Sequence, residues 1–173
     1  MAGELTIDGA RTGPAAGASG AAGPGRTTWL LCRAGTQLCA IPLEHVIETM
    51  RVLQVERVSG APLYVLGLAI IRGAPVPVVD TGLLVGDRAT RAERLITVRT
   101  GNRTIALAAE AVLGVATLAP DRLAQLPPLL RDAAAVTIEA VGTLDAELLF
   151  FLRAARIMPD ELFDRLEFER ALS

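Results

Sequence analysis

The stretch YVLGLAIIRGAPVPVVD, Tyr64 to Asp80, places a single arginine in an otherwise apolar run and follows it at once with a glycine and two prolines. A bilayer-spanning helix needs about 20 mostly apolar residues. The apolar run from Leu63 to Ile71 is bounded by Pro62 and Arg72, so it has the length of a strand and no membrane insertion is expected. LGLAIIR and PVPVVD read as two strands joined at Gly73-Ala74, with Gly in the first central position of a two-residue turn. Residues two apart in a strand aim their N–H groups at the same neighbour. The donors missing from Pro75 and Pro77 therefore lie on one side, and that flank should be a sheet edge or a barrel seam.

Working outward, TTWLLC and QLCAI flank RAGT and predict a hairpin at Gly35-Thr36 in which Cys32 faces Cys39. PLEHVIET, starting at Pro42, predicts a short helix over residues 42–48, with Pro at a first helical position. RLITVR and RTIALAA predict a hairpin at Gly101-Asn102 that sets Val98 opposite Ile105 and Ile96 opposite Leu107. VLGVATLA reads as a further strand, PDRLAQLPPLLRD as a proline-broken connector, and AAVTIEAVGTL with ELLFFL as a last hairpin about Asp145-Ala146. PDELFDRLEFERALS has acids in its first turn and Leu162, Phe163 and Leu166 at helical spacing, which predicts a C-terminal amphipathic helix over 159–173. Residues 1–26 are rich in Gly, Ala and Pro with nothing large to bury, and they read as a flexible tail. Nine or ten short strands without a long internal helix indicate an all-β sandwich or barrel over residues 27–158.

Composition narrows the function classes. A net charge of −2 and 3% aromatic residues argue against nucleic-acid binding, because neither a basic field nor a stacking platform can be assembled from them. The 17 basic residues are all arginine, which leaves no Walker lysine and no Schiff-base lysine. Two cysteines are too few for a zinc site, and a reducing compartment favours buried thiols over a disulfide. His45 is the sole histidine, no G-x-S-x-G is present, and the carboxylates sit at turns and strand ends where they are solvated. No enzyme motif, metal site or cofactor site is expected. An N-terminus without a basic start and apolar block points to the cytoplasm. A β protein with apolar edges uses them to bind other proteins.

Three blocks carry a family resemblance: LCRAGTQLCAIPLEHVIET, then APLYVLGLAIIRGAPVPVVD, then RLITVRTGNRTIALAAEAVLGV. Their order, and above all G-L-x-x-x-R-G-x-x-x-P-V-V-D at Gly67 to Asp80, resembles the CheW-like domain of bacterial chemosensory systems over about Thr28 to Met158. The resemblance implies two five-stranded SH3-like β-barrels packed on a shared core. It also implies a non-catalytic adaptor that binds the cytoplasmic tip of a chemoreceptor and the regulatory domain of a CheA-type histidine kinase, associated with receptor arrays at the membrane. Two positions depart from the family pattern: Ile70 stands where Asn is usual, and Cys39 where an aromatic is usual.

Residue by residue, the family pattern puts Val46, Glu48, Leu66 and Gly67 at kinase contacts and Leu95, Ala109 and Val115 near the receptor-helix groove. Arg72 has two readings. It caps a strand and lies in water, or it sits at the junction of the two barrels, paired with Glu48 as a structural brace and a receptor contact. The preferred reading is the brace, a partly buried bidentate pair whose disruption would leave an uncompensated charge. The similar edges of the two barrels suggest weak self-association. Alternatives are an adaptor of a non-flagellar pathway controlling pili, surface motility or a second messenger, and a small β-barrel enzyme or ligand carrier, which would need a concave pocket with convergent polar groups.

Overall fold

The computed structural model describes residues 25–119 and 137–171. Most of the expected tail and the connector after Ala119 lie outside these residues. The first hairpin, β1 (Thr27–Ala34) and β2 (Gln37–Pro42), turns at Gly35-Thr36. Cys32 lies opposite Cys39, and both are buried free thiols.

The short helix expected over 42–48 is present only as its first turn. One 3-10 turn, Leu43–His45, is followed by β3 (Val46–Arg51). Val46, Ile47 and Thr49 are β-branched, costly in a helix and well suited to a pleated edge, and pairing with β6 (Arg94–Thr100) rewards the extended form. A second correction concerns β4 (Val65–Ile71) and β5 (Ala74–Asp80). Ile71 pairs with Ala74, so the turn residues are Arg72 and Gly73, at φ 51° and 79°. Positive φ at both central positions is the type I′ geometry, whose twist matches the flanking strands. Arg72 thus occupies a left-handed conformation at the tip rather than ending a strand.

β6 and β7 (Arg103–Ala109) pair as expected, with Val98 opposite Ile105 and Ile96 opposite Leu107. β8 (Ala111–Leu118), β9 (Ile138–Leu144) and β10 (Glu147–Leu152) complete ten strands among the described residues, and the β9–β10 turn falls at Asp145-Ala146. Two helices accompany them. Helix α1 (Thr81–Leu84) is capped by the Asp80 carboxylate, which accepts from the Leu83 N–H at 3.1 Å, and α2 (Asp160–Ala171) ends the described chain.

The strands form two five-stranded sheets, ordered β8-β1-β2-β10-β9 and β3-β6-β7-β5-β4. Both follow the same sequence of pairings: antiparallel, antiparallel, parallel, antiparallel. The second sheet is built from consecutive strands, whereas the first borrows the opening hairpin to complete β8–β10. The barrels expected from the resemblance are open in their ladders, since none joins β8 to β9 or β3 to β4 among the described residues.

Apolar packing divides three ways. The layer between the sheets holds Leu30, Cys32, Ile96, Val98 and Ile105, and α2 contributes Leu162, Phe163 and Leu166 to it. The far face of the first sheet gathers Trp29, Leu31 and Phe151, with the Trp29 and Phe151 rings edge to face at 4.8 Å. The far face of the second gathers Ala69, Ile71, Val76, Val78 and Leu95. The inner strands β1, β2, β5, β6 and β7 therefore use both of their period-two faces, one for the common layer and one for their own curled sheet, whereas the edge strands β3 and β8 expose one face.

Candidate functional site

The site is built from the two ends of the second sheet. A bulge between Val46 and Glu48 kinks β3, and Thr97 pins it: its hydroxyl accepts from the Glu48 N–H and donates to the Glu48 carbonyl, both at 3.2 Å. From the other end, the β4–β5 turn delivers Arg72. Its Nε and Nη2 donate to the two carboxylate oxygens of Glu48, each at 2.7 Å. This is the bidentate fork that guanidinium and carboxylate geometry favour. The Arg72 hydrogen bonds hold the Glu48 carboxyl below its ordinary range, opposed by burial and helped to a lesser degree by the Arg72 charge; the same contacts raise Arg72.

The surroundings of the pair correct two expectations. It joins the two edge strands of one sheet, so it lies within a unit and not at the junction between units. The Arg72 side chain is 77% exposed and that of Glu48 24%. Water screens such a pair, so it orients side chains more than it stabilises the fold. Ile47, beside Glu48, and Ile70, two residues before Arg72, are large apolar side chains left 46% and 65% exposed. The alternation of β3 contained the signal for Ile47, but reading that segment as helix hid it. Ile70 was visible in sequence only as a departure from the family.

Behind the ion pair lies a cavity of about 400 Å³, bounded by β5 from Ala74 to Pro77, by Asn102 to Thr104 and by Phe163 and Leu166 of α2. Its origin is the proline pair. Ile71↔Ala74 closes a two-residue hairpin, so Pro75 and Pro77 fall at positions that turn away from β4, towards β7. The parallel β5–β7 ladder starts only at Val78↔Ala106. The flank that the prolines leave unpaired is thus a wedge between β5 and β7, open to the surface at Ala74 and Asn102. At its rim Arg103 donates to Asp164 at 2.7 Å and stacks over the Phe163 ring at 4.8 Å. The polar-poor sequence had suggested no such concavity.

The other predicted positions scatter. Val46 and Leu66 are half-buried against the core. Gly67 is buried at φ 143°, and a Cβ there would collide with the Glu56 carbonyl. Its close approach is therefore internal, to the segment that bridges Leu68. Leu95 and Ala109 are wholly buried, in clusters on opposite faces of the second sheet, while Val115 is 55% exposed on β8 of the first. These three form no common groove. Leu95 and Ala109 serve as core because their period-two positions face packed layers.

A family profile described as the CheW-like domain matches residues 28–162. The crystal structure of the scaffolding protein TtCheW from Thermoanaerobacter tengcongensis superposes with a TM-score of 0.63 at 16% identity, covering 73% of this chain and 88% of that one. No curated protein matches the chain in sequence. With a profile that spans most of its length, two sheets in the expected arrangement and the G-L-x-x-x-R-G-x-x-x-P-V-V-D block at the β4–β5 hairpin, the chain belongs to the CheW-like domain family.

Proposed function

We propose that this protein is a non-catalytic adaptor that couples a chemoreceptor tip to the regulatory domain of a CheA-type histidine kinase. The observation that carries the reading is the exposed edge of the second sheet, where a solvent-facing Glu48–Arg72 fork lies beside the exposed Ile47 and Ile70. An apolar pair beside a preorganised charge pair suits a modest, specific protein interface with satisfied polar groups. Val46, Glu48 and Leu66 remain the proposed kinase side, while Gly67, buried against Glu56, shapes the strand behind them. For the receptor side, Arg72 and Val115 are available at the surface, whereas Leu95 and Ala109 are core. The repeated pairing pattern of the two sheets supports weak self-association through like edges. Which pathway the adaptor serves, flagellar or otherwise, is a question for gene neighbours.

Binding of the kinase regulatory domain and of a receptor hairpin, measured by calorimetry, tests the proposal with Glu48→Ala, Arg72→Ala and the double variant. Each single change is expected to weaken binding by about tenfold while the melting temperature barely moves, and the double variant is expected to be no worse than either single one. Fully additive losses, or no binding by the unsubstituted chain, overturn it.

A further inference from the structure

Beyond the adaptor reading, and independent of it, the geometry points to the β5–β7 wedge as a binding site for one apolar residue of an extended partner segment, presented together with its uncharged peptide group. The register supplies the recognition. Thr100↔Arg103 closes the β6–β7 hairpin, so Arg103, Ile105 and Leu107 direct their peptide groups to β6. Thr104, Ala106 and Ala108 direct theirs to β5, and the last two find ladder partners there. Carried one step back, the same register would draw the donor for the Thr104 carbonyl from Pro77, which has no N–H to give, and the ladder starts only at Val78↔Ala106. A ligand that enters the wedge with its own N–H supplies the donor the strand lacks.

Size and charge define the rest of the ligand. About 400 Å³ lined by Leu68, Ile71, Val76, Phe163 and Leu166 holds an aliphatic or aromatic side chain. Arg72 is engaged by Glu48 and Arg103 by Asp164, so neither guanidinium is free to bind an anion, and Glu167 adds a further negative charge to the lining that disfavours one; an uncharged group meets no such penalty. A helical partner spends its N–H groups internally, so an extended segment is the form that can pair with Thr104.

The test titrates the full chain, followed by amide NMR, with N-acetyl-leucine N-methylamide, with its fully N-methylated counterpart and with a blocked Val-Leu-Val peptide. The expected result is shifts centred on Thr104, Ala106 and Phe163, an affinity about tenfold weaker for the N-methylated compound and about tenfold stronger for the tripeptide. Pro77→Val restores a donor to β5; it is expected to extend the ladder, protect the new amide from exchange and abolish binding. Ala74→Leu fills the mouth without touching the prolines and is expected to abolish binding too, so it decides the matter if the first variant fails to fold. Shifts elsewhere, equal affinity for the N-methylated compound, or retained affinity in a folded variant overturn the site. A tripeptide no tighter than the single residue overturns the extended partner in favour of a small acyl amide. None of these readouts uses the kinase or receptor, so failure here leaves the adaptor reading standing, and the reverse also holds.

Discussion

Ala146 holds φ 66° beside Asp145 at φ 48° in the β9–β10 turn, a type I′ pair in which the second position favours glycine. Replacing Ala146 by Gly relieves a left-handed Cβ, and the expected gain is about 1 kcal/mol, read as a higher urea midpoint with an unchanged slope. Gly67 makes the converse case. Its φ of 143° and the Glu56 backbone against it leave no room for a side chain, so Gly67→Ala is expected to cost more than about 2 kcal/mol. Sequence singled out this glycine, but attached the close approach to a partner. Glu56 lies eleven positions away and pairs with Leu68 through backbone groups alone. No side-chain pattern announces such a bridge. The Arg72–Glu48 fork was legible only through the family resemblance, which carries an acid and an arginine at these places, whereas its exposure depended on where the turn fell.

At the level of elements, the loop after α1 is tied to the β1–β2 turn. Asp87 accepts from the Thr36 hydroxyl at 2.7 Å and from the Thr36 N–H at 2.6 Å. These bonds, led by the hydroxyl and joined by the Arg88 backbone, hold the Asp87 carboxyl below its ordinary range. A carboxyl depressed in the folded state contributes stability above its unfolded pKa of about 3.9, and the contribution is lost as pH falls through the lower folded value. The Thr36 amide resonance is therefore expected to titrate at a pH below the usual aspartate range, and Asp87→Asn should erase that titration. A Thr36 amide that titrates in the usual aspartate range or higher would count against the tie. The hairpins themselves were readable, since the Gly101-Asn102 turn and period-two alternation fixed the partners of Val98 and Ile96. The segment from Pro42 was not, because Pro and two acids near a short apolar run suit a helix start as well as a strand, and only β6 decides for the strand.

For the molecule as a whole, α2 is part of the layer between the sheets. Phe163→Ala is expected to cost about 3–5 kcal/mol and Leu166→Ala about 2–5 kcal/mol, since each empties a packed site shared by both units. Leu63, apolar but 91% exposed, is the control: Leu63→Ala should change stability by less than about 0.5 kcal/mol. Thermal unfolding checks all three. A single transition in which the helix variants melt early and the control does not would match a shared core, and separate transitions for the two sheets would contradict it.

The order of residues determined by itself the all-β class, the hairpin registers at Gly35-Thr36 and Gly101-Asn102 and the amphipathic end helix, because these follow from local turn chemistry and from periodicities of two and 3.6. Tertiary structure alone decided that the opening hairpin completes the sheet of the last strands, that Leu95 and Ala109 are core, and that the flank opened by two prolines became a pocket open to the surface. The reason is that burial and pairing depend on which distant strand arrives alongside, and an apolar residue in a strand looks the same in sequence whether a second sheet covers it or water does.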